Sequence, residues 1–374
     1  APELHSMQVM GMLHPAAVFH RPELYDEFVL QLGMFWQTVN GVDLGAAERD
    51  IDHKAIYTER ELSRVVDAML ADPREDADII AADAEWHGDY PTEPGAYLRT
   101  VQISNKAKWA RAIVLRHAGG APAFKPSIAA AFKQLNRLFH RKGRDLPDGK
   151  VLVARGATPL DVACAPIDVA MASAGGLRVR NRSVAIDVPA TEPEPDLTNG
   201  IVTKKRPRVG GHFFRADLPW FLHNGLDLRE LYAPDKDDPR EGGWDTSLMY
   251  HAVNEATRYK LEDVAMRLTT APRYDAALQE WKKTFCAVNR LQSEQLEGYG
   301  ECPAPILIPY GCYDADVTWR IQAKLREPGG MLDKDAYGNN CWPAYHLHHR
   351  ASLCFLEMEQ VGMVVDRNRV DELV

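Results

Sequence analysis

Cysteine is scarce in this chain: six in 374 residues, at 164, 286, 302, 312, 341 and 354, with no Cys-x-x-Cys pair. Those spacings exclude a dense disulfide framework and a zinc ribbon. They imply reduced thiols in a cytoplasm-like compartment. No apolar run approaches the roughly 20 residues of a membrane span, and the first residues lack the basic-then-apolar pattern of a signal segment. Positive charge is not in excess. Lys and Arg number 44 against 53 Asp and Glu, for a net charge of -9. That balance argues against broad coating of nucleic acid but leaves room for a local basic track around an acidic centre. The Gly pairs at 119–120, 210–211 and 242–243 lack the spacing and following Lys-Ser/Thr of a phosphate-cradling loop. No repeat of solenoid period is present.

What remains is a composition of 45% hydrophobic and 26% charged residues, that of an ordinary globular protein, at a length beyond one domain. Leu24, Phe28, Val29, Leu32 and Phe35 or Trp36 recur at helical steps over 20–40. Residues 58–70 read as a helix that Thr58 caps, with Glu61 completing a capping box. A strand follows over 78–86, then strands at 96–104 and 110–117 with a turn at 105–109. Residues 126–143 read as a helix. The stretch 144–208 reads as an irregular insertion with one strand, 150–154, and a basic run, 204–208, taken as a solvated loop. Helices are expected over 215–232, 246–268 and 274–285, from Tyr310 onward, and over 344–363.

Asp83-Ala84-Glu85 closes the apolar run "ADIIAADAEW". A strand sends i and i+2 to one face, so the two carboxylates stand side by side. Like charges at that distance repel unless one is protonated or a cation sits between them, and oxygen-only ligation suits Mg²⁺ or Mn²⁺. Alone, the pair is more often a solvated strand end than a metal site. Tyr310 and Asp314 are i and i+4 and share a helix face, where a phenol beside a carboxylate can hold a water. Asp316 is about 200° round from Asp314 and should face away. Asp217 opens another helix, with His212 upstream. His346, His348 and His349 read as surface or interface residues, because 348 leaves the face shared by the other two. Cys302 and Cys312 are too isolated for zinc.

These segments resemble, in order and in context, the three exonuclease motifs of the proofreading domain of family A DNA polymerases, within the DnaQ-like 3′–5′ exonuclease superfamily. Asp83 and Glu85 fit the first motif, Asp217 the second, and Tyr310 with Asp314 the third. The run "WDTSLMYHAVNEATRYKLEDVAMRL" is similar to the family's Asp-Thr helix and the segment after it. The resemblance covers 55–118 and 206–327. It implies an α/β fold: an RNase H-like mixed β-sheet flanked by helices, with a helical N-terminal extension and a C-terminal helix leading toward a polymerase thumb. It implies a 3′–5′ exonuclease domain over 55–330, an extension over 1–54, and the start of a thumb region over 331–374.

The resemblance further implies two divalent cations, Mg²⁺ with Mn²⁺ as substitute, roughly 4 Å apart on Asp83, Glu85, Asp217 and Asp314. Tyr310 and Glu85 would orient the attacking water. The substrate would be a single-stranded DNA 3′ end, stacked on Trp86, Phe213 or Phe214, each of which is equally a core residue, with His212 close by. Partners would be DNA and the polymerase domain of the parent chain; a monomer in the cytoplasm is expected. Two departures stand out. Phe213 occupies the place of the second motif's Asn, and Ala216 that of the aromatic before the Asp. They leave open a weak or inactive DNA-binding module that keeps the fold. The polymerase motifs themselves are absent, and both ends read as cut from a longer chain. Residues 10–32 resemble the closing motif of uracil-DNA glycosylase-like domains, with His14 on the DNA-facing loop.

Overall fold

The computed structural model describes residues 14–21, 51–140, 207–238, 240–255 and 259–362, with helical positions 28, 31, 32, 35, 36 and 39. The expected strand at 150–154, the rest of the insertion up to 206, and the thumb-like junction beyond 362 lie outside the described residues. Helix α1 spans Pro15–His20, where the His14 side chain accepts the Ala16 N–H at 3.1 Å.

Six strands form one mixed sheet in the order β1-β4-β3-β2-β5-β6. They are β1 (Asp52–Ile56), β2 (Ile79–His87), β3 (Tyr97–Lys106), β4 (Trp109–Val114), β5 (Arg208–Gly211) and β6 (Trp244–Asp245). β2 runs antiparallel to β3, and β3 antiparallel to β4. β2 and β5, β5 and β6, and β1 and β4 run parallel. An antiparallel meander followed by two parallel strands on its far side is the RNase H-like arrangement, here with β1 added at one edge. The expected fold class is the observed one.

The period of two along the strands separates two cores. Ile80, Ala82 and Ala84 of β2 pack with α2 (Glu59–Ala71) and α3 (Ile128–Phe139) on one face. Ala81 packs with α9 (Ala304–Arg326) on the other, together with α6 (Thr246–Val253), α7 (Leu261–Leu268) and α10 (Trp342–Val361). Between β5 and β6 lie α4 (Leu218–His223) and α5 (Arg229–Tyr232), and α8 spans Ala276–Asn289.

The α2 cap forms as expected: Thr58 Oγ1 accepts the Glu61 N–H at 3.2 Å, while Glu61 Oε2 accepts from Thr58 Oγ1 and from the Tyr57 N–H. Other boundaries differ. The helix expected over 215–232 is broken at Gly225, whose φ of 82 supplies the left-handed turn that the Leu226-to-Phe221 backbone bond needs. The third-motif helix begins six residues before Tyr310. Pro303 and Pro305 open it, and Pro309, inside it, gives up only one hydrogen bond near its start. β5 was not expected, because Arg208-Val-Gly-Gly has little strand propensity. Its glycines are required by packing, since a Cβ on Gly210 would collide with Trp244. Arg208, the end of the basic run, pairs with Asp78 at 3.0 Å and Glu241 at 3.1 Å.

Two further expectations need correction or sharpening. His349 is not a surface histidine; it is fully buried, because α10 turns it inward to Tyr345 Oη, 3.0 Å from its Nδ1. Asp316 does face away from Asp314. It is buried, bonds with Arg320 and accepts the Lys108 N–H at the β3–β4 turn.

Candidate active site

The site forms where β2 and β5 run out at their carboxyl ends, the end of a parallel arrangement at which side chains from several elements converge. Asp83 and Glu85 project from β2 toward the α9 face. Asp314 meets them from α9. Oxygens of these three carboxylates lie within 4.8 Å of one another. Glu85 and Asp314 are each 4% exposed. Asp83 is half-buried, yet its Oδ2 is inaccessible and has no hydrogen-bond partner. A β-bulge follows between Glu85 and Trp86, so the pair stands at the last regular step of the ladder.

Asp217 enters in the plane of the sheet. β5 pairs with β2 only through Ala81, which leaves the next edge groups of β2 open. Asp217 Oδ1 takes one of them, accepting the Ala84 N–H at 3.0 Å. The fourth acid is therefore tied to the residue between the first two.

Electrostatics follow from that crowding. Burial pushes the Asp83 carboxyl well above the usual carboxylate range, and the Asp217 charge pushes it further. Glu85 is raised by burial and then by Asp83 and Asp314, with Lys282 opposing. Asp314 is raised by burial, Asp83 and Glu262, against hydrogen bonds from Tyr274 and Tyr310. Asp217 is raised by burial, against the Ala84 hydrogen bond. Four acids that cannot all ionise together, an unpartnered buried oxygen and an oxygen-only donor set fit a hard divalent cation. Asp83, Glu85 and Asp314 could hold it directly, and among the described residues they are the one such cluster of His, Cys, Asp and Glu.

The expected substrate residues fall into different places. Tyr310 is beside the acids, with its ring 5.9 Å from Tyr274 and 6.0 Å from Tyr299. Trp86 stacks on Trp220 at 5.2 Å and lines a cavity of about 580 Å³ that opens on Glu85. Phe214 is a core residue, packed between Phe221 and Tyr232, and offers no face to a base. Phe213 is 52% exposed in a left-handed conformation, φ 56. His212 is held by Thr246 Oγ1 at 2.9 Å and the Tyr259 carbonyl at 2.7 Å, and burial lowers its pKa.

Sequence reasoning missed four residues. Tyr274 Oη donates to Asp314 Oδ1 at 2.6 Å. Lys282 Nζ donates to Tyr299 Oη at 2.8 Å and lines both the cavity beside Glu85 and another of about 640 Å³ across Tyr299 and Tyr310. The fourth is Asp245, at the head of α6. Only Asp245 carried a sequence signal, an Asp-Thr-Ser helix opening. Of the other three, Tyr274 and Lys282 sit in a stretch whose pattern declares a helix and nothing more, and Tyr299 lies in the turn-rich stretch after it.

No protein-family model matches the chain, and no curated protein matches it. Among solved structures, the chain is similar to the catalytic core of RRP6 from Trypanosoma brucei, at 12% identity and a TM-score of 0.39 over 81% of this chain and 52% of that one. It is also similar to NrnC from Brucella melitensis, at 15% identity and a TM-score of 0.37 over 76% and 86%. NrnC has been solved bound to pGG, at 14% identity and a TM-score of 0.37 over 76% and 86%, and with bound Mg²⁺, at 13% identity and a TM-score of 0.35 over 77% and 90%. The chain spans about half the length of the RRP6 core. Likenesses of this size decide neither the fold, which rests on strand order, nor the chemistry, which rests on the acids.

Proposed function

We propose that this chain is a metal-dependent 3′–5′ exonuclease module of the family A polymerase proofreading kind, acting on single-stranded or frayed DNA 3′ ends. The observation that carries the reading is the convergence of Asp83, Glu85 and Asp314 within 4.8 Å, with Asp217 tied to the same strand. In this reading Asp83, Glu85 and Asp314 hold one divalent cation, and Asp83 with Asp217 serves a second. Such ions, Mg²⁺ or Mn²⁺, supply charge stabilisation to the attacking and leaving oxygens of a phosphodiester.

The chain's own groups do the rest. Burial raises the Tyr310 phenol pKa well above its ordinary value, so the hydroxyl stays protonated at neutral pH and can donate. With Glu85 it orients the attacking water. Tyr274 holds the Asp314 carboxylate from behind. The cavity bounded by Glu85, Trp86, Lys282 and Tyr299 offers an aromatic and cationic lining to a terminal nucleotide. A DNA partner, a polymerase domain in the parent chain and a monomeric state belong to the same reading. So do the divisions 1–54, 55–330 and 331–374 and the glycosylase-like character of 10–32. Among the described residues, no helix is long and apolar enough to cross a membrane.

A second reading, a DNA-binding module without catalysis, draws on Phe213, which puts an exposed ring where the family carries Asn. End-labelled single-stranded DNA incubated with Mg²⁺ or Mn²⁺ separates the two. The wild-type chain should shorten the strand from its 3′ end and Asp83→Ala should not. Equal cleavage by both, or none by either, sinks the proposal.

A further inference from the structure

The turn that delivers Asp217 to the site is gripped by one buried carboxylate. Asp245 is 1% exposed and, among the described residues, has no cation within ion-pair reach. Hydrogen-bond donors satisfy it instead. Its Oδ1 accepts the Phe213 N–H at 3.0 Å, the Ser247 N–H at 2.9 Å and the Ser247 hydroxyl at 2.6 Å. Its Oδ2 accepts the Phe214 N–H at 2.9 Å and the Tyr232 hydroxyl at 3.0 Å.

The two bonds to the turn explain its conformation. Phe213 sits at φ 56 and ψ 40, a left-handed conformation that is strained for a non-glycine residue. In that conformation the successive N–H groups of Phe213 and Phe214 point to one anion, a small backbone nest. From there the path to the site is short and stiff. Ala216 and Asp217 close a 3₁₀ turn back onto the carbonyls of Phe213 and Phe214, at 3.0 and 3.1 Å. Phe214 is locked in the core, and Asp217 reaches the Ala84 N–H.

Asp245 is itself set from α10. Its backbone N–H donates to Tyr345 Oη at 3.2 Å, and that oxygen lies 3.0 Å from His349 Nδ1. The His349 ring stands edge-on to Tyr232 at 4.4 Å. Ser352 Oγ lies 3.5 Å from the Tyr232 hydroxyl. Tyr232, Tyr345 and His349 are fully buried.

We infer that Asp245 is the positioning residue for Asp217, and that Tyr232 and the inward face of α10 hold it in register with the acid cluster. The inference rests on the metal-binding reading of the four acids. It predicts a selective effect, because Asp245 reaches Asp217 but not the Asp83–Glu85–Asp314 group. Loosening it should weaken the ion that Asp217 serves and spare the other.

The test is Mn²⁺ titration of the full chain followed by electron paramagnetic resonance, with circular dichroism to verify folding. Wild type should bind two ions. Asp245→Asn should weaken one of them by about tenfold or more and leave the other unchanged, the scale expected for outer-shell partners of a metal ligand. Tyr232→Phe removes a single hydroxyl with little change of shape, and should weaken the same ion several-fold; it decides the matter if Asp245→Asn does not fold. Binding of both ions as in wild type by the folded variants overturns the inference, and so does equal weakening of both. A wild-type chain that binds no Mn²⁺ overturns the metal reading and this inference together.

Discussion

Asp83 and Glu85 are adjacent on one face of β2, and no spacing rule was needed beyond the strand's period of two. Tyr310 and Asp314 were equally legible, as i and i+4 on a helix. Their partners were not. Tyr274 donates to Asp314 across 40 residues of sequence, and nothing local marks it. Two predictions belong at this scale. Tyr310→Phe should slow cleavage by about a hundredfold or more while Mn²⁺ binding stays at the wild-type level; an unchanged rate removes the phenol from the mechanism. Asp83→Asn removes one charge from a cluster of four. Without metal it should raise stability by on the order of 1 kcal/mol near neutral pH, read as a higher melting temperature, while abolishing cleavage. A lower melting temperature would mean the cluster is not under electrostatic strain.

At the level of elements, α9 matters most, because it carries Tyr310 and Asp314 and packs across β2, β3 and β4. Its close approach depends on Gly311. A Cβ there would collide with the Gln102 side chain, reaching its Cδ at 2.7 Å. Gln102 is itself held by Thr100 Oγ1 at 2.8 Å, so it cannot simply move aside. Gly311→Ala should push α9 off the sheet at a cost of about 1–3 kcal/mol and carry Asp314 out of reach of Asp83. Melting and cleavage measured on the same preparation check both parts; wild-type values for both would show that the sheet has slack. The boundaries of α9 and the break between α4 and α5 were misread for one reason. A hydrophobic period does not report backbone breaks: Pro303 and Pro305 open α9 ahead of Tyr310, and Gly225 supplies the positive φ that ends α4.

For the whole molecule, the four raised carboxyls link stability to pH and to metal. Their unfolded values lie near 3.8 for Asp and 4.5 for Glu, and the folded values are higher. Above the ordinary range the metal-free native state therefore binds more protons than the unfolded chain. The stability these groups contribute is full below that range and is lost as pH rises through the folded values. A bound cation replaces the protons, so its stabilising effect should grow with pH. The melting-temperature gap between Mg²⁺-loaded and metal-free protein should widen from about pH 5 to about pH 8. A gap that is constant or narrows over that range would contradict the arrangement of buried acids.

The sequence by itself determined that Asp83 and Glu85 share a strand face and that Tyr310 and Asp314 share a helix face, because strand and helix periods are local. It also determined the order of the acids along the chain and the alternation that divides the sheet into two cores. Only the tertiary structure decided how Asp217 joins the cluster, through a hydrogen bond to Ala84 across 133 residues. It also decided that Phe214 is core while Phe213 is exposed, and that α10 turns His349 inward toward Asp245. Those choices depend on which buried donors find which acceptors when distant segments meet. A single sequence carries no period or spacing that records such pairings.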